Sequence, residues 1–298
     1  FLLRLWHVFR GCNQNWQGAW ASASLRGMNK RPSLPMDTIT SSSNAEIKML
    51  RSLHERKYRR QTGLFLAEGM RHCTEAVQMG YQPMRVVYAE GRKADKGMAA
   101  LIDACQKAGG RVLPVTPNLL SRISGKDNPQ TVIAAFSLRY GQLSDIRPDS
   151  EAADIWIALD RVRDPGNLGT IMRTADAVAA KGIILIEDCT DPYSVEAVRA
   201  SMGAVFTIEI IQTSSADFIE WSRHWPGQII GTALPASKDY RAANWQKPLI
   251  LLMGNEQAGL TDDLCKTATQ LIRLPMLGRS DSLNLGVATG ICLYEAIR

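Results

Sequence analysis

The sequence predicts an α/β protein built from two α/β domains, and three observations carry that reading. Short apolar runs alternate with helical stretches from about residue 44 to the C-terminus. Leu249–Met253 is a continuous apolar run, the pattern of a parallel strand buried on both faces. The charge also divides: the first 150 residues hold 22 Lys+Arg against 11 Asp+Glu, the remainder 13 against 18. A basic front half joined to a mildly acidic back half points to a polyanion as partner of the front half.

Residues 1–36 contain no Asp or Glu and carry Arg4, Arg10, Arg26, Lys30 and Arg31 among Trp, Leu and Ser. That is the composition of a mitochondrial transit peptide. A translated stretch upstream of a start at Met28 or Met36 accounts for the same facts and is the preferred reading. Either way residues 1–43 are set aside as an extension outside the fold.

The first domain is expected over residues 44–140. Asn44 is placed to cap a helix whose Ile47, Leu50 and Leu53 form a buried stripe. Lys48, Arg51, Arg56, Lys57, Arg59 and Arg60 follow on and beyond this helix, with Tyr58 among them. Lys and Arg neutralise phosphates, and an aromatic plane can stack on an unpaired base, so this run is a candidate RNA contact. The alternative is a solvated helix face. Leu64–Ala67 then reads as a strand, followed by a helix to Met79 closed by Gly80. Arg85–Ala89 is a strand, Lys96–Ala108 a helix ended by two glycines, Val112–Val115 a strand, 118–123 a short helix and Thr131–Phe136 a strand. The alternation predicts a largely parallel sheet.

Residues 141–153 are polar, contain Pro and Gly, and read as a linker. The second domain, 154–298, opens with the strand Ile155–Leu159. A loop through Asp164, Gly166, Asn167 and Gly169 leads to a helix over Thr170–Ala180 that carries Arg173, and Gly182–Ile186 is the next strand. Sites in such sheets form at the carboxyl ends of strands. The loop is not GxGxxG, so no dinucleotide fingerprint is read here. Asp191–Ala204 again follows a strand and enters a helix bearing Arg199. Strands are then expected at Phe206–Ile211, Gln228–Thr232, Leu249–Met253 and Leu271–Leu274, with helices around 215–224 and from Thr261. Gly254-Asn255-Glu256-Gln257-Ala258-Gly259 forms one strand-end loop. Leu274-Pro275-Met276 to Ser282-Leu283-Asn284 forms another, and Ser282 and Asn284 stand where a helix cap would.

The six cysteines are scattered with no CxxC pair, and the four histidines are dispersed. Neither a metal site nor a disulfide framework is expected, and a reducing compartment is the default. No apolar run approaches the ~20 residues that span a bilayer.

Taken together, these stretches resemble the SpoU (TrmH-like) family of RNA 2′-O-ribose methyltransferases, of the SPOUT superfamily. Asp164-Pro-Gly-Asn167-Leu-Gly-Thr-Ile-Met-Arg173-Thr-Ala is similar to the family's first motif, and Val198-Arg199-Ala-Ser-Met-Gly203-Ala to its second. Leu274-Pro-Met to Ser282-Leu-Asn284-Leu-Gly-Val-Ala is similar to its third, and the Gly254–Leu260 segment to the stretch before it. Residues 46–135 look like the substrate-binding domain often found ahead of it. One departure is Gly286, where many members carry Ser.

The resemblance implies a C-terminal α/β trefoil-knot methyltransferase domain preceded by a small α/β substrate-binding domain. It implies S-adenosyl-L-methionine as methyl donor and a homodimer with the site near its interface. By motif position, Gly254, Leu274 and Leu283, and more loosely Thr232, Ala233 and Met276, are expected at the cofactor. Asn167, Arg173, Glu256, Ser282 and Asn284 are the catalytic candidates. Arg199 joins Arg56, Lys57, Arg59 and Arg60 as a substrate-binding candidate, and Glu256 is expected to pair with Arg173 or Arg199. Arg173 is expected to act as a cation near the 2′-oxygen, the general base being left open because guanidinium does not release its proton. Ribosomal RNA is favoured over transfer RNA, with neither a membrane nor a metal as partner. A non-catalytic RNA-binding member of the fold and a base-nitrogen methyltransferase are the rivals. The expected location is cytoplasmic, or mitochondrial if residues 1–36 are a targeting segment.

Overall fold

Asn44 opens the first helix as its residue type dictates, its side chain accepting from the Glu46 amide at 2.9 Å. The structure, a computed structural model, describes residues 37–147, 154–233 and 238–298. The expected extension up to residue 36 and part of the expected linker, 148–153, lie outside the described residues.

Helix α1 (Ala45–Ser52) is followed by α2 (Arg56–Thr62), β1 (Leu64–Glu68), α3 (Met70–Gln78), β2 (Pro83–Ala89), α4 (Met98–Lys107), β3 (Arg111–Val115), α5 (Pro117–Ser124) and β4 (Val132–Ser137). The four strands lie in the order β1-β4-β2-β3. Alternate residues serve opposite faces, as the period of a strand requires. Phe65, Val86 and Tyr88 pack with α3 and α4, while Leu66, Val87 and Leu113 pack with α1 and α5. Ile47, Leu50 and Leu53 of the predicted stripe are fully buried.

The expectation of a largely parallel sheet is corrected here. Only β2 and β3 run parallel; β4 is antiparallel to both β1 and β2. The chain leaves β3 and returns to the same end of the sheet, where the Ala89 amide donates to Thr131 O and the Glu90 amide to Val115 O. Helix α5 packs on the sheet face beside α1 without carrying the chain back along the sheet, and the order of elements alone does not reveal this.

The second sheet has seven strands in the order β7-β6-β5-β10-β8-β11-β9, all paired in parallel. They are β5 (Ile155–Asp160), β6 (Gly182–Ile186), β7 (Glu209–Thr213), β8 (Gln228–Thr232), β9 (Lys238–Asp239), β10 (Leu249–Met253) and β11 (Gln270–Arg273). Strand β10 is central and buried along its whole length, as its unbroken apolar run requires. Helices α6 (Pro165–Ala177), α7 (Val195–Ala200) and α10 (Leu285–Ala296) share a core with one face. Helices α8 (Ser215–Ser222) and α9 (Asp262–Thr267) share one with the other face.

Two boundaries differ from expectation. Helix α6 begins at Pro165 and not Thr170, because Asp164 caps it and Pro165 fits its first position. Gly169 is therefore helical, and a Cβ there would stand 2.4 Å from Ala200 Cβ, so its absence lets α6 and α7 touch. The strand expected at Phe206–Ile211 starts later, after a 3-10 turn at Ala204–Phe206.

The two sheets share one hydrophobic core. Phe65 lies 4.5 Å from Tyr193 and 6.2 Å from Phe206, ring centre to ring centre. Tyr81 packs edge-on against Phe206 at 5.4 Å, and the Tyr193 hydroxyl donates to Arg139 O. Such ring pairs add about 0.5–1.5 kcal/mol each beyond the area they bury. Beside them Arg59, 3% exposed, donates two hydrogen bonds to Asp191 Oδ2 at 2.9 and 2.7 Å and one each to Leu53 O and His54 O. Residues 141–147, expected as linker, lie on the second sheet: the Gly141 amide donates to Ile210 O at 2.9 Å, and Ile146 is buried.

Candidate functional site

Strands β8, β10 and β11 end at the same edge of the sheet, and the loops that follow them enclose a cleft of about 420 Å³. The pairing of β8 with β11 stops at Thr232 and Ile272, and the Ala233 amide makes one last bond to Ile272 O at 3.0 Å. Past that point Leu274 and Met276 form one wall. Gly254–Gln257 forms a second wall, and Asp281–Leu285 a third. All six residues expected at the cofactor, Thr232, Ala233, Gly254, Leu274, Met276 and Leu283, line this cleft. So do Asn167, Glu256, Ser282 and Asn284.

The loop after β10 is held by a scaffold that the sequence reading did not single out. Asp160 is fully buried and takes both Nε and Nη2 of Arg161 at 2.9 Å. This carboxylate keeps the Arg161 guanidinium protonated even more firmly than usual. Arg161 O accepts from Asn255 Nδ2 at 2.8 Å, and Asn255 Oδ1 in turn accepts from the Gln257 and Ala258 amides. Gly254 is required where it stands: a Cβ would lie 2.4 Å from both Gly259 C and Leu260 N. The signal was present in the sequence, since Asn before a turn satisfies backbone amides through its side chain.

Asn167 ties the walls together. Asp164 Oδ1 accepts from its amide at 2.6 Å, which fixes it in the first turn of α6. Its Nδ2 donates to Glu256 Oε1 at 3.2 Å, and its Oδ1 accepts from Asn284 Nδ2 at 2.8 Å. Asn284 Oδ1 meanwhile accepts from the Gly286 and Val287 amides and so caps α10. Gly286 lies close to α6, and a Cβ there would stand 3.0 Å from Thr170 Cγ2. Ser282 stands outside α10, exposed on the cleft rim, and Asn284 alone is the cap.

The expected pairing of Glu256 and the expected availability of Arg59 are corrected here. Glu256 pairs with neither Arg173 nor Arg199; it holds Asn167 and accepts from the Arg163 amide at 3.4 Å. Arg173 is exposed, does not line the cleft, and has no hydrogen-bond or ion-pair partner among the described residues. Arg199 also lies away from the cleft, its Nη2 3.2 Å from Glu68 Oε2. Arg59 is not available to a substrate, because its guanidinium is buried against Asp191. Of the basic run, Lys57 and Arg60 are exposed and Arg56 is half-buried. The cluster that sequence reasoning missed is Arg163 with Asp188. Arg163 and Arg56 both bond to Asp188 and hold its carboxyl below the usual carboxylate range.

The cleft suits a nucleoside-bearing cofactor. Met253, Ile272, Leu274, Met276 and Leu285 offer an apolar lining, and Asn167, Glu256, Ser282 and Asn284 offer polar side chains. Among the described residues there is no cluster of His, Cys, Asp and Glu fit to hold a metal, and no helix is long and apolar enough to cross a membrane.

Comparison with known proteins bears on this geometry. Residues 154–294 match the SpoU rRNA Methylase family, and residues 44–134 match the MRM3-like substrate binding domain. A 23S rRNA (guanosine-2′-O-)-methyltransferase of Ralstonia nicotianae is 33% identical over 71% of this chain and 86% of its own. The structure of an AdoMet-bound rRNA methyltransferase from Sinorhizobium meliloti is 45% identical, covers 88% of this chain and 97% of its own, and superposes with a TM-score of 0.82. The SpoU methyltransferase AviRb from Streptomyces viridochromogenes, in complex with AdoMet, is 28% identical, covers 85% of this chain and 97% of its own, and superposes with a TM-score of 0.74.

Proposed function

Since the chain belongs to the SpoU rRNA methylase family, we propose that it transfers a methyl group from S-adenosylmethionine to a ribose 2′-hydroxyl of ribosomal RNA. The observation that carries this is the Asn167 side chain. It joins the first motif to Glu256 on one side and to Asn284 on the other, at the wall of the one cleft that all six expected cofactor residues line.

Bound in that cleft, S-adenosylmethionine supplies an electrophilic methyl carbon on a sulfonium. The chain's part is to hold and orient. The backbone of Gly254, Leu274 and Leu283 and the apolar lining would seat the cofactor. Asn167, Ser282 and Asn284 would hold the ribose in attack geometry, where orientation is worth more than any single bond. Glu256 fixes the Asn167 amide. Arg173 would stabilise the charge that develops on the 2′-oxygen as its proton leaves.

Arg173 does this within a homodimer. Thr170 and Thr174, on either side of it in α6, approach Gly286 and Gly290 of α10. The outer face of α10 exposes Val287 and Tyr294, at 51 and 56%, and Ile297 just past its end is 42% exposed. An apolar face of this kind favours a partner, and a second copy seated on it would bring Arg173 beside the partner's cleft. The threading of the C-terminal segment that the resemblance implies belongs to the same reading, as does a front domain, 44–140, that grips RNA. Transfer of labelled methyl from S-adenosylmethionine to unmodified ribosomal RNA, blocking alkaline cleavage at one position, tests the function. Methyl on a base nitrogen leaves that cleavage intact and overturns it.

A further inference from the structure

Two guanidiniums from different domains meet on one exposed carboxylate. Arg56 of α2 donates through Nη1 to Asp188 Oδ1 at 2.9 Å, and Arg163, between β5 and α6, donates through Nη1 to Asp188 Oδ2 at 3.0 Å. The Asp188 side chain is 68% exposed and that of Arg163 61%. Exposed ion pairs add little to stability, so folding does not account for the arrangement. Each guanidinium carries further N–H donors, and these have no protein partner among the described residues. Two cations on one anion leave a net positive charge, and Lys57 and Arg60 are exposed on the same helix. The cluster also adjoins the cleft: the Arg163 amide donates to Glu256 Oε2, and Glu256 Oε1 holds Asn167.

We propose that Arg56 and Arg163 form a two-guanidinium clamp for one backbone phosphate of the RNA, next to the target ribose, with Asp188 holding both side chains ready. This rests on the function proposed above and adds Arg163 to it as a positioning residue. A backbone phosphodiester carries one negative charge on two non-bridging oxygens, and it matches the guanidinium fork, so it can take the N–H donors that Asp188 leaves free. The clamp would bring the front domain's basic helix and the cleft onto the same stretch of backbone.

The test uses the full chain and a fluorescein-labelled RNA hairpin of mixed sequence, titrated over a series of KCl concentrations. Arg163→Gln and Arg56→Gln should each weaken binding about tenfold and reduce the slope of log affinity against log salt by about one. Because the two share one phosphate, the double variant should lose much less than the product of the single effects. Arg163→Gln should raise KM for ribosomal RNA with kcat little changed, and affinity for S-adenosylmethionine should stay constant. Unchanged hairpin binding in the arginine variants, or multiplicative losses in the double variant, each overturn the clamp alone. A wild-type chain that binds S-adenosylmethionine but no RNA overturns the function and the clamp with it.

Discussion

Asn284 Nδ2 donates to Asn167 Oδ1 at 2.8 Å across 117 residues of sequence, while Asn284 Oδ1 caps α10. One side chain therefore serves both folding and the site, and substitution separates the two. Asn284→Ala should lose about 1 kcal/mol of stability together with methyl transfer. Asn284→Asp keeps a good cap but replaces the donor with a carboxylate oxygen facing Asn167 Oδ1, so stability should hold while transfer falls. Urea midpoints and transfer rates measured on both variants check this; equal destabilisation by the two would contradict it.

Arg59 and its neighbours should behave in opposite ways. Arg59→Ala leaves Asp191 buried without its cation, a change that costs about 3–5 kcal/mol. Lys57→Ala and Arg60→Ala touch exposed side chains and should stay within about 0.5 kcal/mol of wild type. The same two substitutions should weaken RNA binding and flatten its salt dependence. Thermal melts and salt titrations, run side by side, separate the buried arginine from the exposed pair.

Arg173→Ala should bind S-adenosylmethionine like wild type and transfer no methyl group. If the cation serves the partner's cleft, mixing inactive Arg173→Ala subunits with inactive Asn167→Ala subunits should restore activity. Each mixed dimer then has one cleft with both groups intact. Continued inactivity in dimers shown to be mixed places Arg173 in its own chain's cleft. Tyr294→Glu should give monomers by light scattering and lose transfer.

The buried thiols should be inert. Burial pushes Cys73 and Cys292 up to about 12, and Cys105 and Cys189 up to about 11. The thiolate is the reactive form, and it becomes appreciable only as pH climbs towards those values. At pH near 8, iodoacetamide should leave all four unlabelled in the native protein and label them in urea, as read by peptide mass analysis. Cys265, the least enclosed of the described cysteines, should label first among them. Rapid native labelling of Cys189 would contradict the burial.

The site was legible where a residue's type and its neighbours in sequence decide its place. Leu274, Gly254 and Thr232 stand at the ends of strands whose apolar runs are plain, and the family resemblance marks them as cofactor residues by motif position. The start of α6 is legible too, in Asp164-Pro165, although the glycines after it favour a loop. Long-range pairing was not legible. Nothing local tells that Arg59 will meet Asp191 while Lys57 faces solvent, because that depends on how one sheet docks on the other. The antiparallel β4 is a similar case, since alternating helices and strands are compatible with either direction. Glu256 lies at the site but its partner is Asn167 and not an arginine, because an acid near two arginines in motif order need not be near them in space.

The packing of Phe65 on Tyr193 bears on how a target is chosen. An RNA-gripping module hung on a loose tether would let its methyl-transferring half sample many nucleotides, and selection would fall to sequence around each one. Here the ring contact and the Arg59–Asp191 pair make the two halves one body. The distance from α2 to the cleft is then a fixed length, and if the front domain grips RNA as proposed, the protein would work as a ruler. It should select a nucleotide by how far that nucleotide lies, in the folded RNA, from the feature the front half holds.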